Sequence, residues 1–136
     1  YVEMQWLMLQ QDKPEDYVIS TGRAESVRKF AEISAHYLGW SKEENKGIIW
    51  EGEGLNEVGK RADTLEVVIK VDPRYFRPTE VDFLLGDSKK ARRNLGWSPS
   101  TKLEELIKEM IEHDKEEAKK ESILNHSGFK ISSSKE

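Results

Sequence analysis

Two closely spaced prolines constrain this chain more than any other feature. Pro73 and Pro78 stand in the run Val71-Asp72-Pro73-Arg74-Tyr75-Phe76-Arg77-Pro78-Thr79-Glu80. Each ring locks its own φ and pushes the preceding residue toward extended geometry. The segment between them is therefore a stiff, non-helical loop, and stiff loops hold side chains in fixed directions. Arg74 and Arg77 offer planar, fork-shaped donors suited to phosphate. Glu80, three residues after Arg77, can accept from sugar hydroxyls. The same residues also suit a plain surface turn closed by an Arg–Glu ion pair. Spacing alone leaves both readings open.

The elements on either side follow from hydrophobic period and turn chemistry. Val2, Met4, Trp6, Leu7, Met8 and Leu9 are apolar almost all round, which marks a helix buried on more than one side. Asp12-Lys13-Pro14 ends it. Tyr17-Val18-Ile19-Ser20 is short, β-rich and bounded by turn signals, so it reads as a buried strand. Thr21-Gly22 turns the chain and Ser26 reads as an N-cap. Val27, Phe30, Ala31, Ala35 and Leu38 recur at helical spacing, with Gly39 as the C′ residue. In open α/β sheets ligands gather beyond the carboxyl ends of strands. The loop from Thr21 to Glu25 can therefore line a site, or be an ordinary connection.

Ile48-Ile49-Trp50-Glu51 reads as a strand, residues 52–63 as a mobile glycine-containing loop, and Glu66-Val67-Val68-Ile69-Lys70-Val71 as a second strand. The connection between these strands is long for a hairpin. Asp87 is placed to cap a short helix with Ala91 and Leu95 inward, closed by Gly96. Thr101-x-x-Glu104 fits a capping box. Leu103, Leu106, Ile107, Met110 and Ile111 then form an apolar stripe on a helix running to about Lys120. From residue 123 the chain turns to Ser127-Gly128 and a serine run, which reads as a poorly ordered tail.

Composition excludes several classes. The length of 136 residues suits one domain. A formal net charge of -4 argues against a dedicated nucleic-acid binder. No apolar run reaches bilayer length, no stretch reads as a secretory signal, and Cys is absent. A cytoplasmic location is the expectation. The chain opens on Tyr1 and runs straight into an apolar helix, which reads as a fragment whose N-terminal partner is missing. Lys89, Lys90, Arg92 and Arg93 form a basic cluster that suits either phosphate or a solvated helix face. His36 and His113-Asp114 lack a second ligand at i+4, so no metal site is expected. The four tryptophans are scattered and are assigned to packing. No G-x-G-x-x-G or P-loop is present, and no tyrosine is followed by lysine four residues on. A complete nicotinamide enzyme of the short-chain type cannot be assembled from these residues.

Several stretches closely resemble the GDP-mannose 4,6-dehydratases. They are residues 1–11, Pro14-Glu15-Asp16-Tyr17-Val18-Ile19, residues 71–81, Leu84-Leu85-Gly86-Asp87, Leu95-Gly96-Trp97 and Ala118-Lys119-Lys120. The resemblance implies an α/β protein, the C-terminal substrate-binding part of an extended Rossmann-type short-chain dehydrogenase/reductase, with several helices and a few short strands. It implies that residues 1–122 form the nucleotide-sugar-binding portion, including the last Rossmann strand, and that 123–136 are the tail. It also implies NADP held by a missing N-terminal Rossmann domain, GDP-mannose as substrate, and a homo-oligomer at full length. No nucleic-acid or membrane partner is implied. Catalytic and cofactor-binding residues are then expected outside this chain, and the chain alone is expected to be inactive. Substrate-binding roles carry over to Arg77 on the diphosphate and Glu80 on the ribose, with Arg74 and Tyr75 as neighbours.

One loop departs from the family pattern. Where the family is expected to read roughly Thr-Gly-Glu-x-His-Ser-Val-Arg-Glu, this chain has Thr21-Gly22-Arg23-Ala24-Glu25-Ser26-Val27-Arg28-Lys29. Two rival readings stand beside the dehydratase: another extended-family enzyme, such as a GDP-sugar reductase or epimerase, and a stand-alone nucleotide-sugar-binding module.

Overall fold

A computed structural model describes residues 1–43, 46–77 and 84–129. The chain forms two compact units. One comprises Tyr1–Ser26 and Arg74–Thr101, the other Val27–Pro73 and Lys102–Glu136.

The second unit is a mixed one, with two helices and a small antiparallel sheet. Its first helix, α2, spans Val27–Tyr37. It ends as glycine predicts. Gly39 takes φ +81°, its N–H donates to the His36 carbonyl, and the Trp40 N–H donates to the Ala35 carbonyl at 3.1 Å. Those two bonds satisfy carbonyls that a helix end otherwise strands. The buried residues of α2 are Ile33 and Ala35. Val27 is exposed and Phe30 partly so, which narrows the stripe read from the sequence.

Strands β1 (Ile48–Glu51), β2 (Val58–Arg61) and β3 (Val67–Lys70) pair in that order, antiparallel throughout. The outer two match the sequence expectation. Residues 52–63 do not, because they hold a 3-10 turn at Gly54–Asn56 and the whole of β2. Val58-Gly59-Lys60-Arg61 shows no alternating apolar pattern, so no local signal announced a strand. The reason it forms one is tertiary. It is the central strand, hydrogen-bonded on both sides, and Gly59 lies opposite Trp50 and Ile69. A Cβ at Gly59 would stand 3.0 Å from the Trp50 ring and 3.1 Å from Ile48 Cγ2. The absent side chain leaves room for an aromatic ring across the pair. With β2 in place, the long connection becomes two short ones.

Helix α4 spans Leu103–His126 and packs against α2. Ile107 is fully buried, while Leu106 and Met110 are 44% exposed, so only part of the expected stripe faces inward. Only half of a capping box forms, one residue later than the sequence suggested, because the Lys102 side chain has no acceptor to return the bond. The backbone N–H of Lys102 donates to the Glu105 carboxylate at 3.2 Å, and Thr101 and Glu104 do not make the exchange. The helix also runs past Lys120 and through residue 123. Ser127-Gly128 closes it: Gly128 takes φ +82° and the Phe129 N–H donates to the Leu124 carbonyl at 3.0 Å. What read as the onset of a tail is a glycine C-cap of the same kind as that at Gly39.

The first unit carries α1 (Val2–Leu9) and α3 (Lys89–Leu95). Met4 is fully buried, whereas Val2 and Leu9 are 79% and 81% exposed. Residues 17–20, expected as a strand, take no regular secondary structure and have no ladder partner among the described residues. A strand is stable only when its N–H and C=O groups meet another strand. Here Ser20 Oγ donates instead to the Gly86 carbonyl at 2.6 Å. In α3, Ala91 is fully buried and Gly96 takes φ +66°, as expected.

Candidate functional site

The proline-bracketed loop leaves β3 at Lys70 and turns at residues 73–75. Within the first unit the Arg74 guanidinium carbon lies 5.4 Å from the centre of the Tyr75 ring. Tyr75 is 76% exposed and Phe76 46% exposed, so the loop presents aromatic edges to solvent. Large exposed aromatics beside arginine are costly to leave wet and well suited to a planar ligand. Arg77 follows on the exposed surface. Arg74 and Arg77 both take part in further polar contacts. Glu80 falls outside the described residues, so the predicted Arg77–Glu80 relation does too. Of the predicted site residues, the structure brings Arg74 and Tyr75 together and sets Arg77 two positions on.

The far end of the loop is pinned by groups that the sequence did not single out. A Cβ at Gly86 would stand 2.8 Å from Ser20 Cβ and 3.1 Å from Val18 Cγ1. Glycine is thus the residue that lets segment 84–86 lie against segment 18–20, and the Ser20–Gly86 hydrogen bond closes that contact. Asp87 then accepts from the Lys89 N–H at 2.9 Å and starts α3. That hydrogen bond, helped by the Lys89 ammonium, holds the Asp87 carboxyl below its ordinary range against the opposing effect of desolvation.

The basic cluster on α3 divides in two. Lys90 meets Glu15 at 2.9 Å, donates to the Asp16 carbonyl at 2.9 Å and lies 4.8 Å from the centre of the Tyr17 ring. Lys89 pairs with Asp87. Arg92 and Arg93 donate instead to the neutral oxygens of Ser88 and Asn94. Lys90 therefore ties the segment after α1 to α3, and Lys89 closes the start of α3 on its own neighbour, a structural use of charge.

In the second unit the tryptophans pack, as expected, with guanidinium groups on their faces. Arg28 lies 4.2 Å over Trp50 and Arg61 lies 4.6 Å over Trp40. The Trp50 indole donates to Glu32 at 2.9 Å. Arg61 grips Asp63 through two parallel bonds of 3.0 and 2.8 Å. This pairing raises the Arg61 pKa and lowers that of Asp63. Among the described residues no group of three or more His, Asp or Glu is placed to hold a metal ion. Nor is any described helix long and apolar enough to cross a membrane.

The family model described as GDP-mannose 4,6 dehydratase matches residues 1–110. The chain belongs to the GDP-mannose 4,6-dehydratase family. It is 50% identical over 116 residues to the human GDP-mannose 4,6 dehydratase, covering 85% of this chain and 30% of that protein. The corresponding protein of Cricetulus griseus is 49% identical over the same length. The Yersinia enterocolitica GDP-mannose 4,6-dehydratase is 42% identical over 142 residues, covering 97% of this chain and 37% of the relative. The chain thus spans about a third of the length of the curated relatives it matches.

The sequence carries no G-x-G-x-x-G run of the kind that cradles a dinucleotide. Gly52 and Gly54 come nearest to a glycine-rich cradle in the sequence. The space where a Cβ of Gly52 would stand is taken by the Asn56 carbonyl. The glycine there closes the chain's own turn.

Proposed function

We propose that this chain is the nucleotide-sugar-binding part of a GDP-mannose 4,6-dehydratase of the extended short-chain dehydrogenase/reductase type. The reaction converts GDP-mannose to GDP-4-dehydro-6-deoxy-D-mannose with NADP. The observation that carries this reading is the family match across residues 1–110. The dinucleotide and the catalytic groups are assigned to the part of the protein matching the remaining length of the relatives. A cytoplasmic, homo-oligomeric enzyme, with no nucleic-acid or membrane partner, completes the proposal.

Within this chain, Arg77 is assigned to the substrate diphosphate and Glu80 to the ribose hydroxyls, with Arg74 and Tyr75 beside them. The physical support is the chemistry of the groups. A guanidinium fork matches two phosphate oxygens at once, and Pro78 restricts the backbone of Arg77. Tyr75, exposed and with the Arg74 guanidinium over its ring, offers a flat face two residues before Arg77.

Calorimetric titration of GDP into the full-length enzyme tests the assignment. Hydrogen bonds to charged groups contribute about 1.5–3 kcal/mol, so Arg77→Ala should weaken binding roughly 10- to 150-fold. Arg77→Lys should recover only part, since it keeps the charge and loses the fork. Glu80→Gln should cost less, because an amide oxygen still accepts from a hydroxyl. These contacts lie away from the sugar carbons that react, so KM should rise more than kcat falls. Unchanged GDP affinity in folded Arg77→Ala would end the assignment.

A further inference from the structure

The cleft that follows α1 has a composition that the family reading does not use. Its volume is about 370 Å³, and it is walled by Gln11, Asp12, Lys13, Glu15, Tyr17 and Asn94, all in the first unit. Ligand clefts run to roughly 300–1,000 Å³, so this one suits a small molecule. Its wall is braced from α3. Lys90 Nζ meets the Glu15 carboxylate at 2.9 Å, donates to the Asp16 carbonyl at 2.9 Å and lies 4.8 Å from the centre of the Tyr17 ring. One ammonium thus holds both Glu15 and Tyr17 in place before a ligand arrives, which lowers the entropy cost of binding.

Other side chains of the wall are turned by contacts of their own. Gln11 Nε2 donates to the Leu7 carbonyl at 3.0 Å, so its amide presents the oxygen as an acceptor. Asn94 Oδ1 accepts from Arg93 Nε at 3.3 Å, so its amide presents the NH2 as a donor. Asp12 adds a carboxylate acceptor and Lys13 an ammonium donor. The charges of Asp12 and Glu15 are opposed by those of Lys13 and Lys90. The cleft therefore offers acceptors and donors together, with no net charge and one aromatic ring. An anion would meet its carboxylates and a cation its lysines. A hydroxyl both donates and accepts, so a neutral ligand rich in hydroxyls satisfies the whole set.

We infer that this cleft binds a monosaccharide. Asp12 and Glu15 accept from sugar hydroxyls, Asn94 and Lys13 donate to sugar oxygens, and the Tyr17 ring borders the apolar C–H groups. The chemistry differs from that of the Arg74–Arg77 loop, where guanidinium forks suit a diphosphate. The sugar is either free or the sugar end of a nucleotide sugar, and experiment separates the two.

The test is a site-resolved NMR titration of the full chain with D-mannose, with ammonium chloride and sodium phosphate as the cationic and anionic rivals. Mannose should move the side-chain amides of Gln11 and Asn94 and the Tyr17 ring signals along one saturation curve, in the millimolar range that befits so small a ligand. Neither salt should give a saturable shift at those groups. Asp12→Ala and Asn94→Ala should each weaken the mannose curve by about tenfold, in variants whose backbone spectra otherwise match the parent. Asp12→Asn should restore part of it, because an amide oxygen still accepts. Arg77→Ala should leave the mannose curve unchanged, so failure of the nucleotide-loop assignment and failure of this one are told apart. A mannose response that never saturates, an equal saturable response to either salt, or an unaltered curve in folded Asp12→Ala and Asn94→Ala would overturn the inference. GDP-mannose against GDP, in Arg77→Ala, identifies the source. A shift at Asn94 with GDP-mannose and not with GDP assigns the cleft to the sugar of a nucleotide sugar. No such shift, with the mannose response intact, assigns it to the free sugar.

Discussion

Residues 17–20 and 67–70 share a Val-Ile centre and end in different states. The first three residues of Tyr17-Val18-Ile19-Ser20 and of Val67-Val68-Ile69-Lys70 are all β-branched or aromatic, and each string ends in a polar residue. The second becomes β3, paired to β2 through Gly59 and Ile69. The first stays half-exposed, without regular structure and unpaired among the described residues. Intrinsic β-preference is the same in both, so it cannot be what decides. A strand is made by the neighbour that accepts its hydrogen bonds, and β2 supplies that neighbour in only one of the two units.

The largest expected effect bears on the helix that supports the paired segment. Ile107 is the fully buried anchor of α4, and truncation of such a residue costs about 2–5 kcal/mol. Ile107→Ala should lower the melting temperature of the second unit. Amide protection of residues 58–61 and 67–70 should fall while that of α3 holds, as hydrogen exchange would reveal. Equal loss in α3 would mean that the two units melt as one and would blur the comparison.

A smaller effect comes from close approach. A Cβ at Gly47 would stand 2.6 Å from Ala35 Cβ, with the Ala35 backbone carbon 3.0 Å away, so neither side can yield easily. Gly47→Ala should therefore destabilise by about 1–3 kcal/mol, read as a shift of the denaturant midpoint with little change in slope. An unshifted midpoint would show that α2 can slide on β1.

In the unpaired segment the corresponding single contact is weaker. Ser20→Ala removes one hydrogen bond, worth about 0.5–1.5 kcal/mol, to the Gly86 carbonyl. Faster exchange should appear at residues 84–88 and nowhere in the sheet. If the sheet amides also speed up, segment 17–20 contributes more than its one visible tie.

The least change is expected with pH. The Asp87 carboxyl is held below its ordinary value, chiefly by the Lys89 N–H. A carboxylate depressed in the folded state stabilises that state above its unfolded pKa, near 3.9 on average (about one unit of spread). The contribution fades as pH falls through the lower folded value. The start of α3 should thus loosen at acid pH, and Asp87→Asn should flatten that dependence. Because Asp87 is well exposed, solvent screening keeps the effect small. An acid profile of α3 identical in Asp87→Asn and the parent protein would show that another group carries it.

Much of this arrangement was legible in the residues. Gly39 and Gly96 ended their helices where periodicity stopped, because a left-handed residue there costs glycine nothing. The strands at 48–51 and 67–70 declared themselves by composition, and the stretches 71–81 and 84–87 pointed to the family. Local chemistry suffices for such features: a cap, a proline or an apolar stripe acts within one turn of itself. The tertiary structure alone decided the rest. It made a strand of Val58-Gly59-Lys60-Arg61, which has no pattern of its own, by flanking it on both sides and laying Trp50 over Gly59. It left residues 17–20 without a ladder partner among the described residues, carried α4 to a cap at Gly128, and sorted one basic cluster into paired lysines and arginines turned to neutral partners. Each of these depends on what arrives from far along the chain, and the free energy of a hydrogen bond or ion pair belongs to both partners, so neither sequence neighbourhood contains it.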